Sequence, residues 1–284
     1  MVVLVTGANG QLGQSLQFIA GNYPEINFKF CDSKALDITN LENVKQIIEL
    51  YKPDFCINTA AYTAVDKAES EPAKAQLINV IGSENLAKVC KIFDTALIHV
   101  STDFVFDGNA TTPYLETDKP NPTGVYGQTK LDGEKAIQAI LKKHIIIRTS
   151  WVYSQFGNNF LKTMLRLGQE KESLSVVNDQ IGTPTNAVDL ANVILQIICH
   201  PERSRGNFYG IYNFSNLGKC SWYDFAKKIF EIHNIQIDLK PIPTTSYPTP
   251  AERPKYSVLD KSKIFEIFEI ELITWEKSLK TVIF

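Results

Sequence analysis

The chain has 284 residues, of which 44% are hydrophobic, and its formal net charge at pH 7 is −2. This composition, without a low-complexity stretch, predicts an ordered globular protein of one large domain or two smaller ones. Positive and negative charges are interspersed along the chain, which argues against a nucleic-acid partner.

The cysteines and the N-terminus bear on where the protein works. The five cysteines are scattered and include no C-x-x-C pair, so we expect neither a disulfide framework nor a zinc knuckle. Four of them have apolar neighbours and are interpreted as small core residues. No apolar run approaches bilayer length, and no leader pattern opens the chain, so we expect no membrane contact and a cytoplasmic location.

Apolar strands alternate with helices through the first half of the chain. We predict strands over residues 2–5, 28–31, 55–58, 96–100 and 145–148. We predict helices over residues 11–20, 40–49 and 71–93, and a further helix that carries Tyr126 and Lys130. This alternation predicts the α/β class with a doubly wound parallel sheet.

After Trp151 the pattern changes. Helices are predicted over residues 159–170, 186–199 and 222–233, a strand over 174–177, a polar surface connection over 200–210 and a proline-rich loop over 241–254. We expect residues 1–150, joined by part of 180–220, to form a dinucleotide-binding domain. Residues 151–284 should form mainly a smaller C-terminal substrate-binding lobe, with interleaved segments.

A glycine-rich turn follows the first predicted strand and opens a helix. It carries Gly7, Gly10 and Gly13, with Gln11 and Leu12 between the last two, in a G-x-x-G-x-x-G spacing. Glycines let a backbone approach a pyrophosphate closely, and a helix N-terminus favours its negative charge. The alternative, a glycine turn that binds nothing, is the weaker interpretation in this strand-to-helix context.

Asp32 lies nineteen residues after Gly13, near the distance expected for an acid that binds the cofactor ribose. A carboxylate there favours NAD, whereas the nearby Lys34 would tolerate NADP, so NADPH and NADH both stay open. The alternative for Asp32 is a simple turn residue. Asp37 and Ile38 precede the next helix, where an adenine ring would lie.

Further cofactor contacts are expected just after the third strand, where small residues admit a cofactor alongside: Ala60, Ala61, Tyr62 and Thr63. The alternative is a tight strand-to-helix turn. Lys130 is a further candidate, as a hydrogen-bond donor to the nicotinamide ribose.

Tyr126 and Lys130 are four residues apart, so a phenol and an ammonium share one helix face. We expect the ammonium to lower the phenol pKa, and Tyr126 to give a proton to a carbonyl oxygen as hydride reaches the carbon. Thr102 and Asp103 follow an apolar strand, where parallel sheets place ligands, and Thr102 would orient the carbonyl. The alternative for Thr102 is a turn that ends the strand.

These features together resemble the extended short-chain dehydrogenase/reductase superfamily, whose members have a Rossmann-like fold. More narrowly, the chain resembles dTDP-4-dehydrorhamnose reductases in five motifs, over residues 60–69, 101–108, 148–153, 178–185 and 250–254. The matches run from residue 1 to about residue 260.

The resemblance implies reduction of dTDP-4-dehydro-6-deoxy-L-mannose to dTDP-L-rhamnose. It implies that Thr102, Tyr126 and Lys130 are the catalytic trio, that Trp151 and Asp103 contact the sugar, and that Arg253 lies near the nucleotide diphosphate. The alternatives are a core tryptophan for Trp151 and a surface salt bridge for Arg253. Some relatives are described with magnesium, but no acidic cluster here has a spacing that requires a metal. Relatives are often dimers, so a homodimer is a further expectation.

Two rival functions stay open. One is a nucleotide-sugar epimerase or 4,6-dehydratase, although the chain has Phe104 where we expect a glutamate in the dehydratases. The other is a non-catalytic regulatory subunit that resembles the partner of methionine adenosyltransferase. Catalysis is favoured over a regulatory role, because the chain keeps Thr102, Tyr126 and Lys130 together.

Overall fold

The computed structural model describes residues 1–200 and 208–283. Its strands are β1 (Val2–Thr6), β2 (Asn27–Cys31), β3 (Phe55–Asn58), β4 (Ala96–Thr102), β5 (His144–Thr149), β6 (Val152–Tyr153), β7 (Ser173–Val177), β8 (Ile181–Gly182), β9 (Thr185–Asn186), β10 (Gly210–Asn213), β11 (Cys220–Ser221) and β12 (Asp238–Ile242). Its α-helices are α1 (Gln11–Ile19), α2 (Leu41–Tyr51), α3 (Val65–Ser70), α4 (Pro72–Gln76), α5 (Gly82–Ile92), α6 (Val125–Ile140), α7 (Phe160–Glu170), α8 (Ala187–Cys199), α9 (Trp222–Ile232), α10 (Ser262–Phe268) and α11 (Trp275–Leu279).

Six parallel strands form the central sheet in the order β10-β5-β4-β3-β1-β2. The chain moves from β1 to β2 in one direction and then places β3 on the other side of β1. Ligands of open parallel sheets bind at such a reversal, outside the carboxyl ends of the strands. The glycine turn follows β1 at this point, and the predicted α/β fold with a doubly wound parallel sheet is confirmed.

The central strands are apolar because helices cover both faces of the sheet. Val3 and Val5 pack in the core that α1 and α8 cover, whereas Leu4 between them packs with α2 and α5. Successive side chains of a strand point to opposite faces, so one apolar run fills two cores. β10 extends the sheet beyond β5, although it belongs to the C-terminal half of the chain.

A separate, smaller core lies in the C-terminal half. It is built around β7, β12, α7, α9 and α11, and its largest buried side chains include Tyr153, Phe225, Phe230 and Trp275. Strands β7 and β12 pair in parallel. The boundaries that we predicted for the two lobes stay a prediction.

The structure corrects several predicted elements. The helix expected over residues 71–93 contains a π-helical turn, Leu77–Ile81, between α4 and α5, and α3 before it was not predicted. Strand β12 extends into the run expected to be a loop. Residues 201–207 of the predicted polar connection lie outside the described residues; after them, Phe208 is buried and Gly210 begins β10.

Within the described ranges, none of the helices is both long and apolar enough to cross a bilayer.

Candidate active site

The turn after β1 is packed so closely on its surroundings that only glycine fits at two of its positions. Gly7 has a φ of +66°, and a Cβ there would lie 2.7 Å from the Ala60 backbone nitrogen. A Cβ on Gly13 would lie 2.5 Å from the Gly7 carbonyl oxygen. Gly10 N–H donates to the Gly7 carbonyl oxygen at 2.9 Å, and no side chain caps α1. The first turn of α1 therefore offers backbone N–H groups to an anion.

Gln11 and Leu12 open α1, but their side chains serve the fold. Gln11 Nε2 donates to the Val152 carbonyl oxygen at 3.1 Å, and its Oε1 accepts from Asn159 Nδ2 at 2.6 Å. Leu12 is 8% exposed and belongs to the core under the helix. Gln11 therefore ties the helix start to the segment after β5, and a cofactor contact at these two positions stays a prediction.

Asp32 follows β2 directly as a turn residue, and its carboxylate accepts three hydrogen bonds. Its Oδ1 accepts from the N–H groups of Lys34 and Ala35, both at 3.0 Å, and its Oδ2 accepts from Asn9 Nδ2 at 3.0 Å. These hydrogen bonds, the one from Ala35 first, hold the pKa of Asp32 below its usual value. Asp32 therefore acts as a turn residue, which was the alternative interpretation. Its hydrogen bond from Asn9 also places the carboxylate beside the glycine turn.

Asp37 and Ile38 differ in exposure. Asp37 Oδ1 accepts from the N–H and the hydroxyl group of Thr39, at 2.9 and 2.7 Å. Ile38 is 4% exposed, and a Cβ at Gly82 would lie 2.6 Å from its Cδ1. The Ile38 side chain is therefore a core side chain, and the adenine contact stays a prediction.

The loop that leaves β3 carries four of the expected cofactor residues: Ala60, Ala61, Tyr62 and Thr63. The buried Asn79, in the π-helical turn, accepts from Tyr62 N–H at 2.9 Å and donates to the Tyr62 carbonyl oxygen at 3.2 Å. The Asn79 amide also donates to Thr129 Oγ1 on α6 at 3.1 Å. One side chain thus ties this loop to the helix that carries Tyr126 and Lys130.

Thr102 and Asp103 lie at the carboxyl end of β4, and both are buried. Thr102 Oγ1 donates to Asp103 Oδ1 at 3.0 Å and accepts from Phe104 N–H at 3.2 Å. Asp103 Oδ2 makes no hydrogen bond of good geometry within the described residues, although the Ser257 side chain lies beside the carboxyl group. Burial raises the pKa of Asp103 to about 6, against the lowering effect of Ser257 and Thr102. One oxygen of this buried carboxyl group is therefore without a hydrogen bond of good geometry in the described residues, and a sugar contact stays a prediction.

Tyr126 lies in the first turn of α6 and packs edge-on against Phe104, with ring centroids 5.5 Å apart. A Cβ on the next residue, Gly127, would overlap the Phe104 carbonyl oxygen. The helix therefore approaches the end of β4 more closely than a larger residue would allow. This approach brings the phenol to Thr102, whose hydrogen bond partly lowers the pKa of Tyr126.

Lys130 lies one helical turn after Tyr126 and is 2% exposed. Its Nζ donates to the Val100 carbonyl oxygen at 2.6 Å and lies 3.2 Å from His99 Nε2. Burial lowers the pKa of Lys130 to about 8, and the Glu134 carboxylate opposes this effect. The ammonium is thus directed toward β4.

The expected lowering of the phenol pKa by Lys130 is wrong for this structure. Burial raises the pKa of Tyr126 to about 12, and the charge of Asp103 adds to this effect. Desolvation disfavours the charged phenolate, and the Lys130 ammonium makes its contacts on β4. Tyr126 therefore stays protonated at neutral pH, which suits a proton donor.

Trp151 leaves β5 with a φ of +47°, an unusual conformation for a bulky residue. Its indole stacks on Trp222 at a centroid distance of 3.5 Å and an interplanar angle of 9°. A Cβ at Gly182 would lie 2.5 Å from its Cε2, so glycine is required beneath the ring. The strained turn thus places a half-buried aromatic pair between β5 and the C-terminal core.

Arg253 reaches the site from the C-terminal half. Its Nη2 donates to Asp66 Oδ2 at 2.7 Å, and its guanidinium lies 5.9 Å from the centroid of the Phe104 ring, which also packs on Tyr126. Its Nη1 is buried and makes no hydrogen bond within the described residues. The salt bridge that was the alternative for Arg253 is therefore present, and its place near a nucleotide diphosphate stays a prediction.

Five residues that shape the site were not singled out from the sequence: Glu69, Asn79, His99, Gly127 and Trp222. Glu69 Oε1 accepts from Val125 N–H, the first of α6, at 2.8 Å. Gly127 carried a usable signal, because glycine inside a helix often marks a close approach. His99 carried another, since it is a titratable residue within an apolar strand.

In the described part of the chain, no three His, Cys, Asp or Glu side chains are grouped closely enough to hold a metal ion. A magnesium requirement is therefore not supported by any ligand set in the structure.

A glycine turn at the reversal point of a parallel sheet, with a Tyr-x-x-x-Lys helix at the same edge, is typical of short-chain dehydrogenase/reductase proteins. The family described as the RmlD substrate binding domain matches residues 1–284. A dTDP-4-dehydrorhamnose reductase from Aggregatibacter actinomycetemcomitans is 43% identical, over 99% of this chain and 97% of its own. The chain therefore belongs to the RmlD substrate binding domain family.

Two solved structures are similar to this one. A dTDP-4-dehydrorhamnose reductase from Clostridium acetobutylicum is 43% identical and superposes with a TM-score of 0.92, covering 99% of this chain and 97% of its own. Another from Bacillus anthracis, solved in complex with NADP, is 41% identical with a TM-score of 0.92, covering 98% of this chain and 97% of its own. The predicted family resemblance is confirmed.

Proposed function

We propose that this chain transfers hydride from NADPH or NADH to C4 of dTDP-4-dehydro-6-deoxy-L-mannose, giving dTDP-L-rhamnose. The observation that carries the proposal is the meeting of Thr102, Tyr126 and the glycine turn at one edge of the sheet. Full-length similarity to reductases named for this substrate supports the choice of sugar, and the NADP complex of the Bacillus anthracis relative supports the cofactor class.

The residues present fit a dinucleotide. Gly7 and Gly13 let the turn after β1 pack closely on its own backbone, and the uncapped first turn of α1 suits a pyrophosphate. Asp32, beside Asn9, would accept a hydrogen bond from a ribose hydroxyl. When bound, the reduced nicotinamide supplies the hydride.

The chain itself supplies the proton. Tyr126 is protonated at neutral pH, so its phenol donates a proton to the sugar O4 as negative charge develops there. Thr102, which donates to Asp103 Oδ1 here, would redirect its hydroxyl toward the same oxygen. Carbon C4 gains hydride and O4 gains a proton, so the ketone becomes an alcohol and Tyr126 is left as a phenolate.

The sugar nucleotide would lie between the sheet edge and the C-terminal half. Asp103 would accept a hydrogen bond from a sugar hydroxyl through its open Oδ2. The Trp151 indole would form an apolar wall, and the open Nη1 of Arg253 would donate to a diphosphate oxygen.

The test is an assay of the purified chain with the dTDP-keto-sugar and each reduced cofactor in turn. We expect one cofactor oxidised for each dTDP-L-rhamnose formed. Turnover of a nucleotide sugar without net cofactor oxidation would instead identify an epimerase or a dehydratase. No turnover, together with co-purification of methionine adenosyltransferase, would favour the regulatory role.

We also propose the domain division of residues 1–150, with part of 180–220, as the cofactor lobe and mainly 151–284 as the substrate lobe. A cytoplasmic location and a homodimer complete the proposal. Fractionation of the source cells and the molar mass in solution would test these two points.

A further inference from the structure

A buried chain of polar groups runs across the sheet from β1 to Lys130. Thr6 Oγ1 donates to Asn58 Oδ1 at 2.6 Å, and Asn58 Nδ2 lies 3.0 Å from His99 Nδ1. His99 Nε2 in turn lies 3.2 Å from Lys130 Nζ. All four residues are at most 2% exposed, so none of these groups exchanges its partner for water.

The orientation of Asn58 decides which imidazole nitrogen of His99 carries the proton. The Ala60 backbone N–H, which can only donate, lies 3.2 Å from Asn58 Oδ1. The amide oxygen therefore faces Ala60 and Thr6, and the amide NH₂ faces His99 Nδ1. That nitrogen must accept, so the proton of the neutral imidazole is on Nε2.

This tautomer has a consequence for Lys130. A proton on His99 Nε2 points at Lys130 Nζ, which can accept it only as a neutral amine. An ammonium there would set two donors against each other, although the Val100 carbonyl oxygen still accepts one of its protons. All hydrogen bonds from Thr6 through Asn58 and His99 to Lys130 are therefore made when Lys130 is uncharged.

Within the described residues, Glu134 and its partner Arg148 are the further charged groups that bear on Lys130 and His99. Glu134 of α6 favours the Lys130 ammonium, but its oxygens accept from Arg148 of β5 at 2.7 and 3.0 Å and from Ser101 at 2.5 Å. Burial first, and then the Lys130 charge, hold the pKa of His99 well below its usual value. The imidazole therefore stays neutral.

We infer that His99 is a positioning residue that directs Lys130 toward β4 and favours its neutral amine over its ammonium. In the proposed reduction the Lys130 ammonium would donate a hydrogen bond to the nicotinamide ribose, so the charge that His99 disfavours bears on activity. The catalytic part of this inference rests on the proposed reduction.

The first test needs no substrate. In protein labelled with ¹⁵N-histidine, the His99 signals are assigned by their loss in the His99→Leu variant. We expect a neutral ring with the proton on Nε2 throughout the range from about pH 6 to pH 8. A proton on Nδ1, or an imidazolium, would overturn the inference whether or not the keto-sugar is reduced.

The second test uses the pH dependence of kcat for the keto-sugar. In Asn58→Asp the introduced carboxylate accepts from His99 Nδ1–H, so Nε2 becomes an acceptor for the ammonium. Lys130 then holds its proton to higher pH, and the loss of activity at alkaline pH should move up by about one unit.

The double variant Asn58→Asp/His99→Leu is the matched control, because it keeps the new charge and removes the imidazole. The pH at which the double variant loses activity is compared with that of His99→Leu alone. It should rise by at most about half as much as Asn58→Asp raises it in the unsubstituted protein. Equal shifts would mean that the carboxylate acts by charge alone, and His99 would have no such role. The control His144→Gln, at the opposite end of the sheet, should leave the profile in place.

Discussion

Burial sets the protonation state of the reactive side chains in this site. It raises the pKa of Tyr126 to about 12 and that of Asp103 to about 6, and it lowers that of Lys130 to about 8. Each shift disfavours the charged form, as desolvation does in general. Tyr126 is thereby kept as an acid, while Asp103 and Lys130 titrate close to neutral pH.

Replacing Tyr126 by Phe removes the proton donor without changing the packing on Phe104. We expect kcat for the keto-sugar to fall at least about 100-fold, because general acid catalysis contributes about 10²–10⁴-fold. NADPH binding, measured by fluorescence titration, should change little. Tyr247→Phe, at an exposed position, is the control, and a near-normal kcat in Tyr126→Phe would remove Tyr126 from the mechanism.

Asp103 makes stability depend on pH. Its pKa is raised in the folded state, so folding favours the protonated carboxyl group, and this contribution is lost as pH rises from about 4 to about 6. The free energy of unfolding of Asp103→Asn, relative to the unsubstituted protein, should rise over this window by up to about 3 kcal/mol. Urea unfolding at pH 4, 5, 6 and 7 measures it, and a constant difference would contradict a buried, titrating Asp103.

At the scale of elements, α6 is the part that must be placed accurately. Glu134 ties it to β5 through two hydrogen bonds from Arg148, at 2.7 and 3.0 Å, and to β4 through Ser101 at 2.5 Å. Asn79 ties it to the loop after β3. Removing one partner of a buried ion pair leaves an uncompensated charge, which typically costs about 3–5 kcal/mol.

The closest approach of α6 to the end of β4 is at Gly127, and Gly127→Ala tests it. The added methyl group would overlap the Phe104 carbonyl oxygen, so the helix must move. We expect a loss of about 1–3 kcal/mol in the free energy of unfolding. We also expect at least about a 10-fold fall in kcat, because Tyr126 moves with the helix.

Gly21→Ala is the matched control, since a Cβ at Gly21 meets no atom within 4 Å. It should change stability by less than about 0.5 kcal/mol and leave kcat unaltered. Equal behaviour of the two variants in unfolding and turnover would show that the contact at Phe104 is not tight.

At the scale of the whole molecule, the site is assembled across both halves of the chain. Arg253 is nearly two hundred residues from Asp66, its ion-pair partner, yet the two meet at 2.7 Å beside Phe104. Gln11 joins α1 to the segment after β5 in a similar way. Contacts of this kind hold side chains of the C-terminal half against the edge of the central sheet.

Arg253→Met tests this assembly, because it keeps much of the side-chain volume and removes the donors. We expect KM for the sugar nucleotide to rise about 10–100-fold, as loss of a charge-assisted hydrogen bond typically costs about 1.5–3 kcal/mol. KM for NADPH should stay the same. Arg166→Met, which removes an exposed ion pair with Glu170, is the control, and an unchanged sugar KM in Arg253→Met would place the diphosphate elsewhere.

The elements were largely predictable because their signals are local. Strand β3 was predicted with its observed bounds, and α1, α2 and α7 to within two residues, from apolar periodicity and from caps such as Asn40, which accepts from Asn43 N–H. The π-helical turn was missed, since its sequence has the same period as the helices around it. Part of residues 180–220 was expected to join the first lobe, but neither strand β10 nor the burial of Phe208 was predicted, because only pairing with a distant strand reveals them.

The sequence by itself determined the fold class, the family and part of the set of residues that gather at the sheet edge, including Thr102, Tyr126 and Lys130. The spacing of the glycines, the apolar runs of the strands and the interval between Tyr126 and Lys130 can each be read from residues close together in the sequence. Only the tertiary structure decided the direction of the Lys130 side chain, the protonation of Tyr126 and the contact between His99 and Lys130. Those properties depend on burial and on partners from other strands, and desolvation and hydrogen-bond geometry have no local signature in a sequence.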